Sequence, residues 1–128
     1  MTATKAITIL RITTALFMLA HGLARLFVPD GVSGFGSFLG LQGFPFSLAL
    51  AWLLTILELA GAALLISGYA VRAAAAFYIA ELFAGIFLVH GENGWFVVGI
   101  TNGGMEYNVL LIVCFLLVFM TCKKPKAA

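Results

Sequence analysis

The sequence predicts an all-α integral membrane protein, a four-helix bundle with both termini on the cytoplasmic side. Three observations carry this expectation. Of the 128 residues, 63% are hydrophobic and only 9% are charged. The mean hydropathy of +1.15 excludes a soluble globular chain. The apolar residues gather in four blocks, about residues 5–28, 47–69, 73–89 and 105–121, each long enough to approach or cross a hydrocarbon core about 30 Å thick. Backbone polar groups in lipid must be satisfied within the chain, and the alternating pattern of barrel strands is absent, so the blocks are expected to be helices. They use most of the sequence, which makes residues 1–128 one domain.

The first block starts at Lys5. A basic residue ahead of an apolar run resembles a signal peptide, but Arg11 interrupts the would-be hydrophobic region, so the segment reads as a retained span. Arg11, Thr14, Met18, His21, Gly22 and Arg25 share one face of this helix, a polar and small stripe on an otherwise lipid-like cylinder. The connection from Pro29 to Phe46 is rich in glycine and phenylalanine; an interfacial helix over Ser33–Leu41 and a turn at Gly43-Phe44-Pro45 are expected there.

The second span repeats the design, because Ala51, Thr55, Glu58, Gly61 and Ala62 fall on one side and allow a neighbouring backbone to approach. A charge near the bilayer centre costs at least about 2.5 kcal/mol, so Arg11, Glu58 and Glu81 need partners or water. Counted at about 1.5 Å per residue from the inner ends, Arg11 lies about 9 Å deep, Glu81 about 13 Å and Glu58 about 16 Å. An Arg11–Glu58 ion pair is expected. In the third span Glu81 and His90 are nine residues apart, which on a continuous α-helix sets them about 180° from each other. Either the helix ends before His90, at a Gly91 cap, or Glu81 faces a subunit interface or serves as a relay.

The fourth span opens at Glu106 after the turn-forming run Thr101-Asn102-Gly103-Gly104, where a carboxylate also suits the helix dipole. His21, Arg25, His90 and Glu106 count to similar outer depths, under connections carrying Phe35, Phe38, Trp95 and Phe96, and form the candidate ligand-binding cluster. The dipeptides His21-Gly22 and His90-Gly91 at the outer ends hint at two related hairpins. Lys5, Arg72, Lys123, Lys124 and Lys126 flank the spans on one side, which the positive-inside rule makes cytoplasmic and which suits an inner, cytoplasmic membrane.

Other chemistry is poorly provided for. Cys114 and Cys122 are too far apart along a helix to pair, at about 12 Å. The histidines lack metal-ligand spacing, and no basic stripe with interleaved aromatics suits a nucleic acid.

At Arg11, His21-Gly22, Arg25, Gly43-x-Pro45, Glu58-Leu59-Ala60-Gly61, Gly68, Arg72, His90 and Gly104-x-Glu106 the chain resembles the DoxX family of small four-span membrane proteins, over nearly its whole length. Glu81 departs from that pattern, standing where many relatives carry an apolar residue or methionine. The resemblance implies an association with membrane redox systems, one related branch being a thiosulfate:quinone oxidoreductase subunit. Three functions follow as expectations. The chain is a non-catalytic accessory or subunit of a redox assembly, with no intrinsic cofactor and with lipid, redox subunits or further copies of itself as partners. Alternatively it binds quinone or another amphipathic ligand in the outer cluster, or it is a proton-coupled solute carrier using Arg11, Glu58 and Glu81.

Overall fold

The computed structural model describes residues 1–123, so Lys124 and Lys126 lie outside the described residues. The chain is all-α. Helix α1 spans Ala3–Phe27, α2 Gly31–Leu41, α3 Ser47–Ser67, α4 Val71–Gly85 and α5 Glu106–Thr121. A π-helical turn, Ile86–His90, and a short 3-10 turn, Gly91–Asn93, extend α4.

Local chemistry fixes the ends. Thr2 caps α1 by accepting from the Lys5 amide at 3.3 Å. Val28 leaves the helix extended (φ −72°, ψ 132°) because Pro29 disfavours the helical region for the residue before it. The chain then reverses so tightly that a Cβ on Gly31 would lie 2.0 Å from the Arg25 carbonyl oxygen. No larger residue fits that corner. Gly68 ends α3 in the left-handed region (φ +82°), where the Gly68 and Tyr69 amides both donate to Leu64 O, satisfying a carbonyl that the helix leaves open.

Helices α1, α3, α4 and α5 close a ring in which each packs on two neighbours, and α2 lies across α1 and α3 as an extra layer. The anticipated face of α3 is the buried one: Ala51, Thr55, Glu58, Gly61, Ala62 and Leu65 all point inward. At the centre Tyr78 and Phe115 stack at 5.1 Å. The Tyr78 hydroxyl donates to the Glu58 carbonyl, and it can do so only because position 61 is glycine, where a Cβ would meet that oxygen at 3.0 Å. Tyr78→Phe is expected to lower stability by about 1 kcal/mol, and Gly61→Val by more, in detergent melts that leave helix content unchanged. At the other end of the bundle Arg72 donates to Phe119 O at 2.9 Å and lies 4.0 Å over the Phe119 ring, capping the last carbonyls of α5.

Three helical stretches are long and apolar enough to cross a membrane: Ala3–Phe27, Ser47–Ser67 and Val71–Asn93. The fourth anticipated span is a 16-residue helix, α5, about 24 Å long and so shorter than a hydrocarbon core. The interfacial helix begins at Gly31, two residues before its expected start.

Candidate functional site

Between α1, α3, α4 and α5, roofed by α2 and by the connection into α5, lies a cavity of about 590 Å³. Its walls are apolar for most of their extent, with Phe17, Phe38, Leu54 and Leu88 among them, and its polar groups are Arg25, His21, Glu58, Glu81, His90 and Asn108.

Arg25 organises the α1–α3 side. Its guanidinium forks onto Glu58, Nη1 to Oε2 at 3.0 Å and Nη2 to Oε1 at 3.1 Å. Nη1 also donates to Thr55 Oγ1 at 3.1 Å, and that hydroxyl in turn donates to Ala51 O at 2.7 Å. Nη2 reaches His21 Nδ1 at 3.4 Å. A guanidinium only donates, so this contact makes Nδ1 the acceptor and leaves the proton of a neutral ring on Nε2. The plane of Arg25 rests 4.2 Å over Phe35, a cation–π contact that seats α2 on the pair. Glu58 is only 2% exposed, whereas the His21 side chain is 68% exposed and 3.9 Å from Glu58 Oε2. A bidentate, hydrogen-bonded pair of this kind is the arrangement in which a buried carboxylate is tolerated.

The anticipated Arg11–Glu58 pair is therefore not made. The register of α1 on α3 decides this. The helices cross closely at Gly22, where a Cβ would stand 3.3 Å from Glu58 Oε2, so the cation one turn above Gly22 is within reach and Arg11, about 16 Å along the helix, is not. Depth counted from the inner ends missed this because those ends are not level: Arg11, eight residues into α1, already stands beside Gly68 at the end of α3. Arg11 instead lies at the opposite end of the bundle, its Nη1 3.2 Å from the position a Cβ of Gly68 would take.

Glu81 and His90 both line the cavity, although a continuous α-helix would oppose them. The π-helical turn accounts for this. Its i→i+5 bond, from the Gly91 amide to Ile86 O, inserts one extra residue, so nine positions rotate as about eight do and the two side chains end about 80° apart. Gly91 is needed for that turn, since a Cβ would lie 2.7 Å from Ile86 O. His90 Nδ1 lies 2.7 Å from Gly103 O; a carbonyl accepts only, so Nδ1 carries the proton and Nε2 of the neutral ring is an acceptor. Glu81 lines the same cavity as Glu58, and its Oε2 is buried with no donor among the described residues.

Glu106, the fourth member of the anticipated cluster, is not among the residues lining the cavity. Its Oε1 accepts from the Val97 amide at 2.9 Å and ties the connecting loop to the start of α5. That loop folds back on itself through Gly103 N to Val97 O, Gly104 N to Phe96 O and Glu106 N to Trp95 O. Asn108, which the sequence did not single out as a site residue, is the polar contribution of α5. Its amide donates to Leu82 O at 3.1 Å and approaches because residue 85 is glycine, where a Cβ would be 3.2 Å from Nδ2.

Among known families, the DoxX model matches residues 6–91. That stretch holds every histidine, arginine and glutamate of the cavity and stops short of α5, so the resemblance seen at Gly104 and Glu106 lies outside the match. No curated protein and no solved structure matches the chain.

Proposed function

The chain belongs to the DoxX family, and from that membership and the cavity we propose that it is a four-span protein of the inner membrane that binds an amphipathic small molecule. The observation that carries this reading is the cavity itself. At about 590 Å³ it lies within the range of small-molecule sites, roughly 300–1,000 Å³, and it joins apolar walls to a compact polar group. Phe17, Phe38, Leu54 and Leu88 suit a ring or tail; His21, His90, Glu81 and Asn108 suit a polar head.

Quinone fits the cavity in part. Its carbonyls need donors, and Asn108 retains one amide hydrogen beside the one given to Leu82 O, while the Tyr107 side chain on the same wall has a hydroxyl to offer. Bound there, quinone would supply electron chemistry that the side chains themselves lack, and the accessory role in a redox assembly follows from this reading.

The test is native mass spectrometry of the protein in lipid nanodiscs with a decyl-substituted benzoquinone and with decyltrimethylammonium. At least one is expected to be retained by the wild type and lost in Leu88→Trp, which fills the cavity. Retention that is indifferent to that substitution would assign the ligand to the lipid-facing surface and remove the proposal.

The proposed sidedness has its own test. Helix α5 packs along α4 and α1 and would complete the fourth crossing, with the termini and Arg72 inside. A membrane-impermeant thiol reagent added to intact cells should modify a cysteine introduced at Asn93 and spare one introduced at Lys5. The reverse pattern would invert the assignment.

A further inference from the structure

The charges that face the cavity do not balance. From α1 come Arg25, a permanent cation, and His21; from α3, Glu58; from α4, Glu81 and His90; from α5, the Tyr107 hydroxyl and the neutral Asn108 amide. The Arg25 guanidinium is committed to Glu58 in a bidentate fork and also bonded to Thr55 and His21. Among the described residues the salt bridges all end on Glu58, and Glu81, which lines the same cavity, has no cation within salt-bridge distance and a buried oxygen without a donor. Two carboxyls and one fixed cation leave a place for one further positive charge.

A proton fills that place, because two carboxyls that face one largely apolar cavity repel unless a proton neutralises one of them. A cationic ligand head fills it equally well. The rings of Phe17, Phe38 and Tyr107 line the same space, and aromatic faces attract a desolvated cation; Phe35 already serves Arg25 in this way.

We propose that the cavity takes an amphipathic cation, an alkylammonium-type head on an apolar tail, in exchange for the proton that neutralises Glu81 or Glu58. This rests on the cavity being a ligand site and adds the ligand's charge. The exchange balances: one cation enters, one proton leaves, and the charge of the site is unchanged. The geometry also offers the proton a way out. Glu58 Oε2 is 3.9 Å from His21 Nδ1, and the His21 side chain stands 68% exposed at the edge of the bundle.

The test is titration of the nanodisc-embedded protein with decyltrimethylammonium, whose charge is fixed, and with the neutral decyldimethylphosphine oxide. In weakly buffered solution the cation should release close to one proton per ligand bound, and its affinity should rise up to about tenfold per pH unit while that of the phosphine oxide stays flat. Glu81→Gln should abolish both the proton release and the preference for the cation. His21→Asn should slow the exchange and leave its equilibrium size intact. Cation binding without proton release would overturn the proposal, as would a preference that survives Glu81→Gln or a linkage lost in His21→Asn alone. If the phosphine oxide binds as tightly as the cation at every pH, the ligand site stands and the charge exchange falls. If neither these probes nor the benzoquinone binds, the ligand site falls as well.

Discussion

Arg25→Leu is expected to destabilise the protein by about 3–5 kcal/mol, the cost of leaving one member of a buried ion pair without its partner. The loss should be this large because Glu58 is 2% exposed, which leaves bulk solvent little access to replace two guanidinium bonds. Glu58→Leu should cost a similar amount, since it strands Arg25 over Phe35 with only Thr55 and His21 to receive it. The double change should recover much of both losses, because two apolar side chains of similar volume remove the need for pairing. Arg11→Leu combined with Glu58→Leu should instead be additive, as expected of sites with no shared partners. Thermal unfolding in detergent across the two cycles separates the cases. A coupling between Arg11 and Glu58 that exceeds the one between Arg25 and Glu58 would mean that α1 and α3 meet in a different register.

That register marks the limit of what the sequence could say. The buried face of α3 was legible, because Ala51, Thr55, Glu58, Gly61 and Ala62 repeat at helical spacing and small residues in lipid mark close packing. The polar stripe of α1 was legible for the same reason, and Thr14, Met18 and Gly22 are buried on it. Which arginine on that stripe meets Glu58 was not legible, because pairing across two helices depends on their axial offset. That offset is set by the tight corner at Gly31 and by α2 lying between the two helix ends, features that exist only once the chain has folded. Glu106 misled for a related reason. A carboxylate at the start of a helix near two histidines reads as a site residue, yet the backbone amide of Val97 claims it. Asn108 carried no signal at all, one amide in an apolar helix whose role comes from the glycine opposite.

Deleting Phe87 should leave His90 in the cavity and its bond to the roof loop intact, although it takes a residue out of the middle of a helix. Ile86, Phe87, Leu88 and Val89 are all apolar, so nothing in their order announces that they form a π-helical turn, and Phe87 is 69% exposed and packs against Phe83 on the outer surface. With one residue fewer the stretch can close as a regular α-helix, in which each residue turns about 100°. The eight positions that then separate Glu81 from His90 turn by about 800°, which leaves the two side chains about 80° apart, as the nine positions with the π-helical turn do. Retention of decyltrimethylammonium or of the benzoquinone, whichever the wild type holds, should stay within about twofold in the deletion, whereas an alanine inserted after Phe87 should turn His90 by about 100°, away from Gly103 O, and lower retention at least tenfold. Phe87→Leu, which keeps the register, should bind as the wild type does. His90→Ala isolates the side chain from the rotation: a loss equal to that of the insertion would assign the whole effect of the register to placing His90. An insertion that binds normally would mean instead that His90 holds the roof of a cavity to which it contributes no contact, and a deletion that loses binding would mean that the π-helical turn itself shapes the cavity.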